Sequence, residues 1–248
     1  MPKITIITVC FNAEKHIEQT IQSVINQKER DIEYIIVDGA STDKTGQIIQ
    51  QYDSHITCWI SEPDKGIADA MNKGVALATG DYLMFLNADD YFQTPDAIAM
   101  VVSQMKDDRD IYIFDTIFLK KEGGLRRHSG TFGKRINFKG LCHQGVLCKR
   151  ELFQKVGSFD ASFKICMDYD FFMRAYRHGA TGNHVDEVLS VMRDGGISSR
   201  QDWPSLKQRF AEEKRVHLEN NTSAFMKIIY TVYWTVYLPY RKMRFAFK

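Results

Sequence analysis

Asp81-Tyr82-Leu83-Met84-Phe85-Leu86-Asn87-Ala88-Asp89-Asp90 decides how the rest of the chain is read. Tyr82 to Leu86 run apolar or aromatic without a break after a turn at Thr79-Gly80, then stop at Asn87-Ala88-Asp89-Asp90. A continuous run of that length predicts a strand buried on both faces. Carboxylates at the end of such a strand sit where an open α/β sheet presents its ligand crevice. Hard oxygens clustered there suit Mg²⁺ or Mn²⁺ and, through the ion, a phosphate. Alone, the stretch reads equally well as a polar strand end followed by a helix cap. The neighbouring segments have to decide.

Upstream the same unit recurs. Residues 3–10 are β-branched and mostly apolar, a first and central strand, and Asn12 is placed to cap the helix that follows. Ile17, Ile21, Val24 and Ile25 form one apolar stripe of that helix. A second buried strand, 32–37, closes on Asp38-Gly39-Ala40-Ser41-Thr42-Asp43, where Thr42 or Asp43 caps a helix carrying Ile48, Ile49 and Tyr52. A short third strand, 56–60, ends at Ser61-Glu62-Pro63-Asp64-Lys65-Gly66. Ile67, Ala70, Met71, Gly74, Val75 and Ala78 then hold helical spacing as far as Gly80. Strands alternating with helices predict a parallel sheet with right-handed crossovers, which gathers Asn12, Asp38, Asp64 and Asn87–Asp90 along one edge. One Asp-Asp is a weak signal; three acidic strand ends on a common crevice make a site.

With 248 residues the chain suits one large α/β domain with an appendage, and 44% hydrophobic content is enough for a sizeable core. A net charge of +2 is too small to argue for a nucleic-acid partner. Cys10, Cys58, Cys142, Cys148 and Cys166 are odd in number and form no Cys-x-x-Cys pair, which fits a reducing compartment rather than a disulfide framework or structural zinc. Met1-Pro2-Lys3-Ile4 enters a strand pattern without a basic leader, so no signal peptide is expected. No apolar run of about 18 residues predicts a transmembrane helix.

Beyond residue 94 the pattern changes. Thr94-Pro95 opens a helix through Met105, and 111–119 reads as a strand followed by a glycine- and base-rich hairpin or loop at 120–133. Helices are expected at 149–156 and 168–178, each stopped by glycine, then a strand at 184–192 and a flexible loop at 194–198. From about Pro204 the chain is helical and differs in kind. Phe225, Ile228, Ile229, Val232, Tyr233, Val236, Tyr237 and Tyr240 keep helical spacing, and Arg241, Lys242, Arg244 and Lys248 follow. Aromatics beside a basic cluster suit a helix lying in a membrane interface near anionic head groups. The alternative is a helix packed on the domain or on a second protomer. The expected division is 1–202, itself split near 94/95, and 203–248.

Six elements occur in one order: Thr-Val-Cys-Phe-Asn-Ala-Glu (8–14), Val-Asp-Gly-Ala-Ser-Thr-Asp (37–43), Ser-Glu-Pro-Asp-Lys-Gly-Ile-Ala-Asp-Ala-Met-Asn-Lys-Gly (61–74), Leu-Asn-Ala-Asp-Asp (86–90), Cys-His-Gln-Gly (142–145) and Met-Asp-Tyr-Asp-Phe (167–171). With them the chain resembles the family 2 glycosyltransferases over roughly residues 3–200, nearest the bacterial branch that builds O-antigen and exopolysaccharide. The resemblance implies an inverting enzyme with the α/β fold called GT-A, a Rossmann-like, mostly parallel sheet flanked by helices. It implies that Thr8, Asn12 and Glu14 line the nucleotide pocket, that Asp38 accepts from uracil N3–H, and that Asp64 and Lys65 lie along the ribose and phosphates. Asp89 matches the last acid of the family's Asp-x-Asp motif and would ligate Mn²⁺ or Mg²⁺; Asn87 stands where the first acid is usual. Asp168 matches the catalytic base, with Met167 in place of the acid that usually precedes it. His143 and Asp170 fall on the acceptor side; His143 reads equally as a structural histidine, and the lesser alternative for Asp168 is a helix cap.

The implied partners are a UDP-sugar donor, a glycan or undecaprenyl-diphosphate-linked acceptor, the inner-membrane surface through the C-terminal helix, and a homo-oligomer as an open possibility. The implied location is cytoplasmic and peripheral to the membrane. Two other functions compete. A sugar-1-phosphate nucleotidyltransferase would want a glycine-rich loop after the first strand, where Cys10-Phe11-Asn12-Ala13-Glu14 stands. An inactive glycosyltransferase-like scaffold is kept open by Asn87 and Met167.

Overall fold

The apolar runs of the first 90 residues become the centre of the sheet. The computed structural model describes residues 2–29, 31–120, 123–196, 199–221 and 223–246. In chain order come β1 (Ile4–Cys10), α1 (Ile17–Ile25), β2 (Ile32–Asp38), α2 (Thr45–Gln51), β3 (Cys58–Ser61), α3 (Ile67–Leu77) and β4 (Tyr82–Phe85). Every residue of β1 and β4 is buried, as strands covered on both faces must be. β1 pairs in parallel with β2 on one side and β4 on the other, and β2 with β3. Alternation assigns the layers. Ile7, Val9, Ile35, Val37, Leu83 and Phe85 face one core with α3, and Ile6, Ile36 and Met84 face the other with α1. Gly74 lets α3 close on β1, since a Cβ there would lie 2.4 Å from Ile7 Cγ2.

The second half departs from the parallel pattern. β5 (Tyr91–Phe92), α4 (Ala97–Gln104), β6 (Ile111–Leu119), β7 (Leu125–His128), β8 (Val146–Lys149), α5 (Arg150–Val156), α6 (Met167–Arg177) and β9 (Gly182–Arg193) follow. The sheet order among these residues is β3-β2-β1-β4-β8-β6-β9-β5, with β7 paired to β6. β8 enters antiparallel between β4 and β6, so β6 again runs with β1 and β4. Its far half outruns β8, shifts register against β9 around Asp115, and pairs with β7 instead. That hairpin therefore projects on the edge where β1 and β4 end.

The sequence reading missed β5 and β8. Two residues show no alternation, and Val146-Leu147-Cys148-Lys149 runs straight into α5. Asn12 does not cap α1, which begins at Ile17 after His16. It takes a positive φ of 50° and accepts from the Thr42 N–H (2.9 Å), tying the first strand-end loop to the second.

The C-terminal segment is two helices, α7 (Trp203–Glu219) and α8 (Ala224–Ala246). Tyr230 and Trp234 are buried against Leu206 and Phe210, while Val216 reaches the main core. The opposite face of α8 leaves Phe225, Ile228, Val232, Val236, Tyr240 and Met243 exposed. No helix among the described residues is long and apolar enough to cross a membrane. Lys248 of the expected basic cluster, and Ile197-Ser198 of the expected loop, lie outside the described residues.

Candidate active site

The carboxyl ends of β1 and β4 open into a cavity of about 870 Å³. β1 contributes Cys10 to Asn12, the segment after β4 contributes Asn87 to Asp90, and the β6–β7 hairpin contributes Thr116, Phe118, Arg126 and His128. Cys142 to Gln144, the loop into α6 with Asp168, and Arg193 to Gly196 after β9 complete the wall. The hairpin residues share a face because Thr116 pairs with His128 and Phe118 with Arg126.

Three predicted residues, far apart in sequence, are joined there. His143 Nδ1 lies 2.9 Å from Asp168 Oδ2, and Asn87 Nδ2 lies 3.2 Å from His143 Nε2. Asp168 stands in the first turn of α6, where its other oxygen accepts the Tyr169 N–H at 2.7 Å. A carboxylate in that turn is stabilised by the helix dipole. Cys142 donates to Gln144 Oε1, and burial pushes its thiol up to about 12.

Asp89 lies half-buried on the wall, whereas its neighbour Asp90 is buried. Burial, then the Asp89 charge, drives Asp90 well above the carboxylate range, against an opposing bond from the Arg193 N–H at 3.2 Å. Of the two carboxylates on the wall, Asp89 is the more exposed.

The predicted nucleotide-end residues sit outside this constellation. Asp38 is buried, accepting from Ser41 and Ser61, the latter at 2.6 Å. Thr8 is buried with its hydroxyl 3.2 Å from Tyr34 Oη and supports the strand. Glu14 accepts the Lys44 N–H, and Asp64 accepts the Gly66 N–H. Asp64 packs beside Gly39, where a Cβ would fall 2.4 Å from its Oδ2. Lys65 is exposed on the same loop. Asp170 is buried in a pair with Arg174 (2.9 Å) and a bond from Asn220 (2.8 Å), away from the cavity wall.

Sequence reasoning missed what holds α6. No side chain of its own caps this helix. Instead Glu212 of α7 accepts the N–H groups of Lys164, Ile165 and Cys166 at 3.2, 2.8 and 3.0 Å. His217 of α7 is buried, accepts from Trp234 Nε1 (3.0 Å), and so carries its proton on Nε2 toward Tyr169 Oη (2.7 Å). The only sequence signal was an acid on an otherwise ordinary helix.

The family model for glycosyl transferase family 2 matches residues 5–182. An uncharacterized glycosyltransferase of Mycobacterium tuberculosis is 33% identical over 180 residues, 70% of this chain and 69% of that one. A PGL/p-HBAD biosynthesis glycosyltransferase of Mycobacterium bovis is 30% identical over 207 residues, 80% of each. Among solved structures, S. aureus TarS 1–349 superposes with a TM-score of 0.70 at 17% identity, over 88% of this chain and 65% of that one. The mannosyltransferase PcManGT of Pyrobaculum calidifontis, solved with GDP-Man and Mn²⁺, gives 0.71 at 16% identity, over 99% of this chain and 73% of that one. With its sheet order, its crevice at the ends of β1 and β4, and these matches, the chain belongs to glycosyl transferase family 2 and has the GT-A fold.

Proposed function

We propose that the chain transfers a sugar, with inversion, from a UDP-sugar to a hydroxyl of a glycan or lipid-linked acceptor in cell-surface polysaccharide synthesis. The observation that carries the reading is the convergence of Asp89, after β4, and Asp168, on α6, upon one cavity. Inverting transfer needs a base for the acceptor hydroxyl's proton and a positive charge beside the departing diphosphate. Asp168 takes the first role, its carboxylate oriented by the Tyr169 N–H and the His143 ring. Asp38, Asp64 and the Asn12 loop would bind the nucleotide; TarS has been solved with UDP-GlcNAc, which supports a uridine donor.

Asp89 fits a divalent cation as one carboxylate among several oxygens. Among the described residues no three His, Cys, Asp or Glu side chains gather as a ligand set, so diphosphate and water would supply the remaining ligands. Mn²⁺ or Mg²⁺ bound there would neutralise charge developing on the leaving group. A thermal-shift panel of UDP-GlcNAc, UDP-glucose and GDP-mannose, with and without Mn²⁺, tests the donor site. UDP-sugar stabilisation that requires the ion is expected, and none at all would remove the reading. Asp168→Asn should lower turnover by about 10²–10⁴-fold while UDP affinity holds; lost UDP binding would move Asp168 into the donor site.

A lipid-carried acceptor is supported by α8. Its outer face is apolar, and the chain from Asn220 onward has no Asp or Glu but carries Lys227, Arg241, Lys242 and Arg244. That charge complements anionic head groups at a cytoplasmic membrane face. Co-sedimentation with vesicles containing phosphatidylglycerol should fall when Phe225, Ile228, Val232 and Val236 are changed to Ser. Unchanged sedimentation, with a dimer lost instead, would assign this face to a second copy.

A further inference from the structure

We infer that His143 is a positioning residue for Asp168, and that Asn87 selects the imidazole tautomer that makes it one. The inference builds on the transferase reading, which gives Asp168 its role as base. A neutral imidazole has one ring proton and two distinct nitrogens. With the proton on Nε2, a bare Nδ1 lone pair would face the Asp168 oxygen at 2.9 Å. With the proton on Nδ1, the ring donates to Asp168, and Nε2 accepts from the Asn87 amide at 3.2 Å. The second arrangement gives both ring nitrogens and the Asp168 oxygen a complementary partner, and leaves only Asn87 Oδ1 of this relay buried without one.

An amide is what position 87 needs. A carboxylate there has no proton to give, and it would draw the ring proton to Nε2, away from the base. Asn87 is thus more than an acid missing from a metal motif: it connects the end of β4 to the base on α6.

The ring is held from behind as well. Gln144 O accepts from Ser190 Oγ of β9 at 2.7 Å, and a Cβ on Gly145 would fall 2.4 Å from the Phe114 carbonyl of β6. The backbone carrying His143 is therefore pressed onto two strands, while Oδ1 of Asp168 is fixed by the Tyr169 N–H. With one oxygen held by backbone and the other by the imidazole, the carboxylate plane is set. Displacing a reacting group by 1 Å can lower a rate by about 10²-fold, which is the scale of effect at stake.

The test reads the tautomer directly. In ¹⁵N-histidine-labelled protein without nucleotide at neutral pH, two-bond ¹H–¹⁵N correlations should show His143 protonated on Nδ1 and bare on Nε2. Asn87→Asp should bring a proton to Nε2. A wild-type ring protonated on Nε2, or one that Asn87→Asp leaves unchanged, overturns the inference. Two substitutions read the consequence, because an Asn amide can take the place of Nδ1 and a Gln amide that of Nε2. With UDP-GlcNAc, UDP-glucose and GDP-mannose as donors and water as acceptor, His143→Gln should slow nucleotide release roughly 10- to 100-fold with donor KM within about threefold. His143→Asn should recover part of that loss. Equal losses in both variants, or a change in KM alone, would make His143 structural only. Because the tautomer is measured without donor, its failure leaves the donor panel standing, and a failed panel leaves the tautomer result intact.

Discussion

Gly39 shows how little room one residue has at the nucleotide edge. It follows Asp38, and its missing side chain is the space that Asp64 Oδ2 occupies. Gly39→Ala must displace that carboxylate, since a Cβ cannot approach to 2.4 Å and the atom it meets is the far end of a side chain that can turn away. We expect UDP affinity to fall about tenfold, on the order of 1.4 kcal/mol, with the urea midpoint nearly unchanged. Calorimetric titration of UDP measures it, and full affinity would dissociate Asp64 from the nucleotide. At this scale the sequence was informative where chemistry recurs at strand ends. Asp89 and Asp168 were legible as carboxylates opening or closing an element. The serine partners of Asp38 and the joining of Asn87 to Asp168 through His143 were not, because each depends on side chains packed across loops.

Helix α6 carries Asp168, the proposed base, yet depends on α7 for its N-terminus. A carboxylate accepting three backbone N–H groups just ahead of a helix does the work of an N-cap from another part of the chain. Glu212→Ala should destabilise the fold by about 1–2 kcal/mol, the range for losing such a cap. It should lower kcat more than donor affinity, because the loop that loosens ends at Asp168. Urea denaturation and steady-state kinetics on the same variant check both halves; a loss of donor affinity alone would contradict the assignment. Periodicity revealed α1, α3, α6 and most of α8, whose apolar faces are continuous. It did not reveal the break between α7 and α8, since nothing in local spacing announces that Tyr230 and Trp234 fold back onto Leu206 and Phe210.

For the molecule as a whole, two buried groups with large shifts contribute to the response to acid. Burial of His217 lowers it from 6.5 to about 4. The unfolded chain therefore binds this proton first, and stability falls as pH drops from 6.5 toward 4, by on the order of 3 kcal/mol. Burial opposes the charge of Glu33, but bonds from Thr5, Thr79 and Lys3 outweigh it and hold the group at about 2. Its contribution is present above pH 4.5 and lost as pH falls toward 2. His217→Gln, which keeps polar atoms and removes the titration, should flatten the urea midpoint between pH 6.5 and 4 while the lower loss persists. An unchanged slope would show that other groups govern the upper window.

The strand order has a consequence for synthesis. β5 follows Asp89 and Asp90 directly, yet Tyr91 pairs with Val191 and Asp90 is bonded by the Arg193 N–H. Asp90 thus waits for a partner made about a hundred residues later, and the start of α6 waits 46 to 48 residues for Glu212 and His217. At roughly 5–20 residues per second, the longer wait is about 5 to 20 seconds in which an emerging chain exposes a half-finished crevice and an unpaired edge. An edge left unpaired for that interval is where whatever shields apolar strands in the cell acts on a growing chain.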